Sequence, residues 1–172
     1  MDQTMLHELA TRVRTLETKL AIHELLARYG CVLDEWDWDG IRAIIHPQIV
    51  TRHDAVAPPM QGIDTFIKVL ESIRPKLTAA QHFITNTQVE VHPGGDSATA
   101  RAFVFAMHDT GVMKGGKLLQ AGGAYRMQIV RADTPGGWQI REIEVLETWL
   151  DPRLLTEVYD TSPMAQASHS GA

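Results

Sequence analysis

Cysteine is almost missing from this chain: Cys31 stands alone among 172 residues. One thiol can close no internal disulfide and build no thiolate zinc cluster. It reads as a small buried hydrophobe. Long apolar runs are missing as well. No stretch approaches the roughly 20 residues that span a bilayer, and the opening MDQTMLHELATRVRTLETK is polar and helix-forming where a leader peptide would be apolar. The expectation is a cytoplasmic protein with no membrane partner. Positive charge is not in excess: 16 Lys and Arg stand against 21 Asp and Glu, for a formal charge of −5. With the cations scattered along the chain, nucleic acid is not an expected partner. No GxGxxG, GxxxxGKS, GxxxxGKT or GxSxG occurs, so neither a nucleotide cofactor nor a serine elbow is expected, and we assign no cofactor.

What is present is an ordinary globular composition, 44% apolar and 22% charged, in a length suited to one domain. We assign residues 1–160 to a single domain and 161–172, rich in Ser, Ala and Gly, to a flexible tail. From Met5 to Leu33 apolar residues recur at three- and four-residue steps, predicting one long amphipathic helix. The acidic turn Asp34 to Gly40 caps a short second helix through Ile41, Ile44 and Ile45, which must stop before Pro47. A short extended piece over Ile49 to Ala55, a Pro58-Pro59 loop and a third helix, Ile63 to Ile73, follow. The period then changes to two. His82 to His92, Ala98 to Asp109, Leu118 to Arg131 and Trp138 to Leu150 read as four strands of an antiparallel meander, with glycine-rich turns between them. Helices first and strands afterwards is the α+β pattern, a curved sheet closing over helices to leave a pocket.

Several side chains there could carry chemistry. His82, Ile84, Asn86, Gln88, Glu90 and His92 alternate onto one strand face, and the next strand offers a row of small residues ending in His108. Gln120-Ala-Gly-Gly-Ala-Tyr125 lacks side chains where a strand wants them, which suits close approach by a ligand. A carboxylate beside a histidine fixes the imidazole tautomer and raises its basicity, and Asp34 with His82 could form such a pair. They could equally be a helix cap and a strand-edge histidine. The Tyr29 phenol could donate to a developing oxyanion, or pack in the core. Of His53 and Asp54, neighbours on an extended segment, one can point inward, and we favour His53. His7, His23, His46, His92 and His169 show no pairing pattern. Three histidines and an aspartate could make a two-histidine, one-carboxylate iron set, but neither its local spacing nor a helical HExxH occurs, so no metal is expected.

The run Ala21 to Tyr29, Asp34, Trp36-Asp-Trp-Asp-Gly40 and Gln81-His82-Phe-Ile-Thr-Asn86 resembles the SnoaL-like branch of the nuclear transport factor 2-like superfamily. The likeness covers about residues 8 to 158. Within the branch it is most similar to the group of scytalone dehydratase, bile acid 7α-dehydratase and lindane dehydrochlorinase, cofactor-free elimination enzymes. The resemblance implies a cone-shaped fold with Asp34 and His82 as the catalytic pair, Tyr29 as a third catalytic group, and His108 as a second pocket histidine. His53 stands near the place of a pocket tyrosine in the dehydratases. With Asn86 and Tyr125 added as substrate-binding residues, the expectation is a dehydratase acting on a hydroxylated, carbonyl-bearing, apolar steroid-like or polyketide-like ring. A double-bond isomerase or cyclase with the same pair, or a non-catalytic module that binds a small ligand, are the alternatives. The resemblance also implies a homodimer or homotrimer, joined through outward strand residues such as Phe103, Phe105, Ile143 and Val145.

Overall fold

The computed structural model describes residues 2–53 and 59–159. Asp54, Pro58, His169 and the proposed tail 161–172 lie outside the described residues. Helix α1 runs Gln3–Glu35, α2 Trp38–Ile44 and α3 Ile63–Ile73. Six strands, β1 Ile45–His53, β2 Met60–Gln61, β3 Ala79–Val91, β4 Ser97–Asp109, β5 Leu118–Arg131 and β6 Trp138–Leu150, form one sheet in the order β2-β1-β6-β5-β4-β3. The architecture is α+β, as the pattern predicts. Strands β3 to β6 form the expected four-strand antiparallel meander, and the sheet is mixed because the extended segment becomes β1 and pairs parallel to β6. That strand begins at Ile45, earlier than expected. Between the paired residues Ile45 and Val50 the register shifts, and Pro47, which has no N–H for a ladder, sits in the irregular stretch.

Local chemistry explains the breaks. Trp36 caps α1 in the left-handed region (φ 58°), and the Trp36 and Asp37 N–H groups donate to the Leu33 and Val32 carbonyls, which ends the helix at Glu35, one residue past Asp34. Asp37 then caps α2, its Oδ1 accepting from the Gly40 N–H at 2.9 Å. Gly40 is required, since a Cβ there would run into the Asp37 carboxylate and the Val32 side chain.

The core lies between the second half of α1, α2, α3 and the concave sheet face, with Ile22, Leu26, Ile41, Ile45, Ile129 and Ile140 almost fully buried. Only the second half of α1 takes part. From Asp2 to Arg14 every residue is exposed, so the single apolar stripe expected over Met5 to Leu33 divides. Cys31 is exposed rather than buried. Ile143 and Val145 face the core, 1% and 9% exposed, and are not outward residues, whereas Phe103 is 47% exposed. After β6, Leu154–Tyr159 forms a wide helical turn, and its Leu154 and Val158 are fully buried against Val69, Ile73, Leu77 and Leu119.

Candidate active site

Asp34 meets His82 for a reason that begins one helical turn earlier. α1 crosses β3 at Gly30, where a Cβ would stand 3.3 Å from the His82 carbonyl oxygen and 3.6 Å from Ile84 Cδ1. Without a side chain there, helix and strand can press together. Four residues on, Asp34 shares that helix face. Its carboxylate accepts two hydrogen bonds from one residue: the His82 backbone N–H donates to Oδ2 at 3.0 Å, and His82 Nδ1 lies 2.6 Å from Oδ1. An ionised carboxylate only accepts, so Nδ1 carries the proton and Nε2 keeps a lone pair.

His82 lines a cavity of about 140 Å³. Phe66, Val69, Leu70 and Ile73 of α3 supply an apolar wall, and Tyr29, His53, His108, Tyr125, Glu147 and Tyr159 bring polar groups to it. The His108 ring stands edge-on to His82, centroids 5.6 Å apart and planes at 89°. His108 Nδ1 is buried with no hydrogen-bond partner among the described residues. Burial, and next the positive charge His82 can carry, push the His108 pKa down to about 4, so it is a neutral imidazole at neutral pH. Tyr29 and Tyr125 meet edge to face at 6.0 Å. Burial raises both phenols far above their usual range, and burial with the nearby Glu147 charge lifts Tyr159 to about 12. All three remain proton donors.

A second carboxylate–imidazole pair sits on the same wall. His53 Nδ1 is 2.9 Å from Glu147 Oε1, with the two side chains 30% and 12% exposed. Among the described residues, no group of three or more His, Cys, Asp or Glu side chains is placed to hold a metal ion.

Asp34, His82, Tyr29, His53, His108 and Tyr125 therefore converge on one region. Asn86 does not. It sits at a bulge between Thr85 and Gln88 with φ 52°, and the extra residue reverses the alternation. Beyond it Thr87, Val89 and Val91 turn inward while Asn86, Gln88 and Glu90 are exposed. Asn86 is thus corrected from a pocket residue to one lining a surface groove with Arg101 and Phe103. The close approach expected at the glycine pair is made by the protein itself. A Cβ on Gly122 would run into the Trp149 ring, and one on Gly123 into the Leu146 backbone. Both glycines also border the cavity. Glu147 and Tyr159 were not foreseen as pocket residues. For Glu147 a signal existed, the inward parity of Ile143, Val145 and Glu147; for Tyr159 there was none.

The SnoaL-like domain profile matches residues 14–144. The chain belongs to the SnoaL-like domain family. No curated protein matches the sequence, but solved structures share the SnoaL-like fold. The Kfla4162 protein of Kribbella flavida superimposes with a TM-score of 0.72 at 23% identity, over 80% of this chain and 95% of that one. A Novosphingobium aromaticivorans protein assigned provisionally as a scytalone dehydratase gives 0.71 at 22%, over 81% and 90%. The hexachlorocyclohexane dehydrochlorinase LinA-type3 of Novosphingobium barchaimii gives 0.68 at 14%, over 81% and 92%. At these identities the likeness establishes the fold, and a nuclear transport factor 2-like protein of Salmonella enterica shares it.

Proposed function

We propose that this protein is a cofactor-independent dehydratase, eliminating water from a small, apolar ring that carries a hydroxyl β to a carbonyl. The observation that carries the reading is the Asp34–His82 pair: one carboxylate engages both the backbone N–H and Nδ1 of the same histidine, leaving Nε2 for a substrate in the cavity that His82 lines. Two structural neighbours are named for eliminations, a dehydratase and a dehydrochlorinase. A cavity of about 140 Å³ is near the size of a void that holds benzene. That favours one or two rings over the four of a steroid.

In this mechanism Nε2 of His82 takes the proton α to the carbonyl, and Asp34 balances the imidazolium it becomes. The electron pair moves to the carbonyl oxygen, where a Tyr29 or Tyr125 phenol donates a hydrogen bond. The pair then returns to form the carbon–carbon double bond as the β-hydroxyl departs, and the proton on Nε2 goes to that oxygen, releasing water. His108 has its pKa held near 4, so it is uncharged and leaves His82 to act as both base and acid.

The test is incubation with cyclic β-hydroxy ketones in deuterium oxide, followed by proton NMR. Wild type is expected to exchange the α proton and form the enone, and His82→Gln to do neither. Exchange with a shifted double bond and no loss of water would make the protein an isomerase. Binding without exchange in wild type would overturn catalysis in favour of a ligand-binding module.

A further inference from the structure

Helix α1 carries two apolar faces in succession, on opposite sides. Leu6, Leu9, Val13, Leu16 and Leu20 are 43% to 66% exposed, in steps of three, four, three and four residues. Thr18 follows Leu16, and Ile22 follows Leu20, by two residues, about 200° around a helix turning about 100° per residue. Both are buried, and Leu25 and Tyr29 continue on their side into the core. The outward leucines are therefore no fringe of the core. The side facing the domain is polar here instead: Thr11, Thr15 and Thr18 border a groove with the β3–β4 turn at His92 to Asp96. A surface helix ordinarily shows the reverse arrangement.

The spacing is a heptad, with Leu6, Val13 and Leu20 at a and Leu9 and Leu16 at d. Its flanks identify the occupant. The g positions hold Arg12 and Lys19, and the e positions hold Glu17 and Glu24. In a parallel, in-register pair each g residue meets the e residue five places on in the other helix, which gives Arg12 with Glu17 and Lys19 with Glu24, twice over. An antiparallel pair would set base against base and acid against acid. We propose that the first half of α1 is a dimerisation element, joining two copies of this chain through a parallel two-stranded coiled coil. Leu at d with Val at the central a position suits two strands. Two and a half heptads are short for an isolated coiled coil, and the exposed Ala27 on the same side lets the contact run on toward the domain bodies.

The experiment is analytical ultracentrifugation of the full chain. Wild type is expected to sediment as an even number of chains, and Leu9→Glu/Leu16→Glu as half that number with an unchanged circular dichroism melt, since both positions are exposed. Arg12→Glu/Lys19→Glu and Glu17→Lys/Glu24→Lys should each dissociate alone, through like charges at every g–e contact, and re-form the wild-type mass when mixed in equal amounts. A wild-type mass of one or three chains overturns the proposal. So does a double-glutamate variant that keeps the wild-type mass, or a charge-swapped mixture that fails to reassociate.

Discussion

Two carboxylate–imidazole pairs face one cavity, and they are built differently. Asp34 closes the last turn of a helix pressed onto β3 at Gly30, and both its oxygens are committed to His82, one of them to the backbone. His53 ends β1, and only its side chain reaches Glu147, which comes from β6 beside a register shift that leaves Thr148 unpaired. His53 is also about twice as exposed as His82, at 30% against 14%. Main-chain anchoring holds a base in one geometry. A side-chain pair near the end of a strand can follow its ligand. The first pair is therefore suited to moving a proton and the second to orienting what enters.

Breaking the first pair has the largest expected effect. In Asp34→Asn the amide oxygen still accepts one hydrogen bond, but its NH₂ group faces Nδ1, so the imidazole proton moves to Nε2 and the base is lost. Turnover should fall by about 100- to 10,000-fold, and nitrogen NMR of His82 should show the change of tautomer. An unchanged tautomer would sink the mechanism.

His108 comes next, because a cation beside His82 would oppose the charge that His82 must take on. Its folded pKa, about 4, lies below the unfolded value near 6.5. Between these two values the unfolded chain binds more protons. Its contribution to stability is therefore complete above about pH 6.5 and is lost as the pH falls toward 4, by up to about 3 kcal/mol. Denaturant unfolding of wild type between those limits should show this slope, and His108→Leu should flatten it.

Gly30→Ala tests the anchoring itself. The new methyl would meet the His82 carbonyl oxygen at 3.3 Å, so α1 must lift by a few tenths of an ångström. We expect about a tenfold loss of turnover from the displaced carboxylate. Stability should change little, because alanine's helix propensity, about 1 kcal/mol better than glycine's, offsets the crowding. Equal losses in turnover and stability would mean that the glycine serves packing alone.

How far each pair was legible in the sequence follows from how it is built. Asp34 stood out because a helical pattern ends in an acidic turn, and His82 because the period changes to two just there. Their meeting across 48 positions needed the family resemblance, since Gly30 gives no sign in the sequence that a strand crosses at that point. The inward parity of β4, with its small residues and His108, was readable because no bulge interrupts its pairing with β5. On β3 the same reasoning misplaced Asn86, because one left-handed residue shifts the alternation. Periodicity also cannot say which side of a helix its own domain will cover, so the two faces of α1 read as one.

The smallest expected effect is at the second pair. Glu147 shares the parity of Ile143 and Val145, opposite to that of Glu142 and Glu144, but was not foreseen because Ile143 and Val145 themselves read as outward residues. Glu142 and Glu144 meet Arg52 and Arg126 at the surface, while Glu147 turns to the cavity wall. Glu147→Gln keeps an oxygen that can accept from His53 and removes only the charge. If the pair orients the ligand, KM should rise about three- to tenfold with kcat nearly unchanged, the mark of binding felt equally in ground and transition states. A kcat that falls as far as in Asp34→Asn would instead make His53 a second proton carrier and erase the division of labour between the pairs.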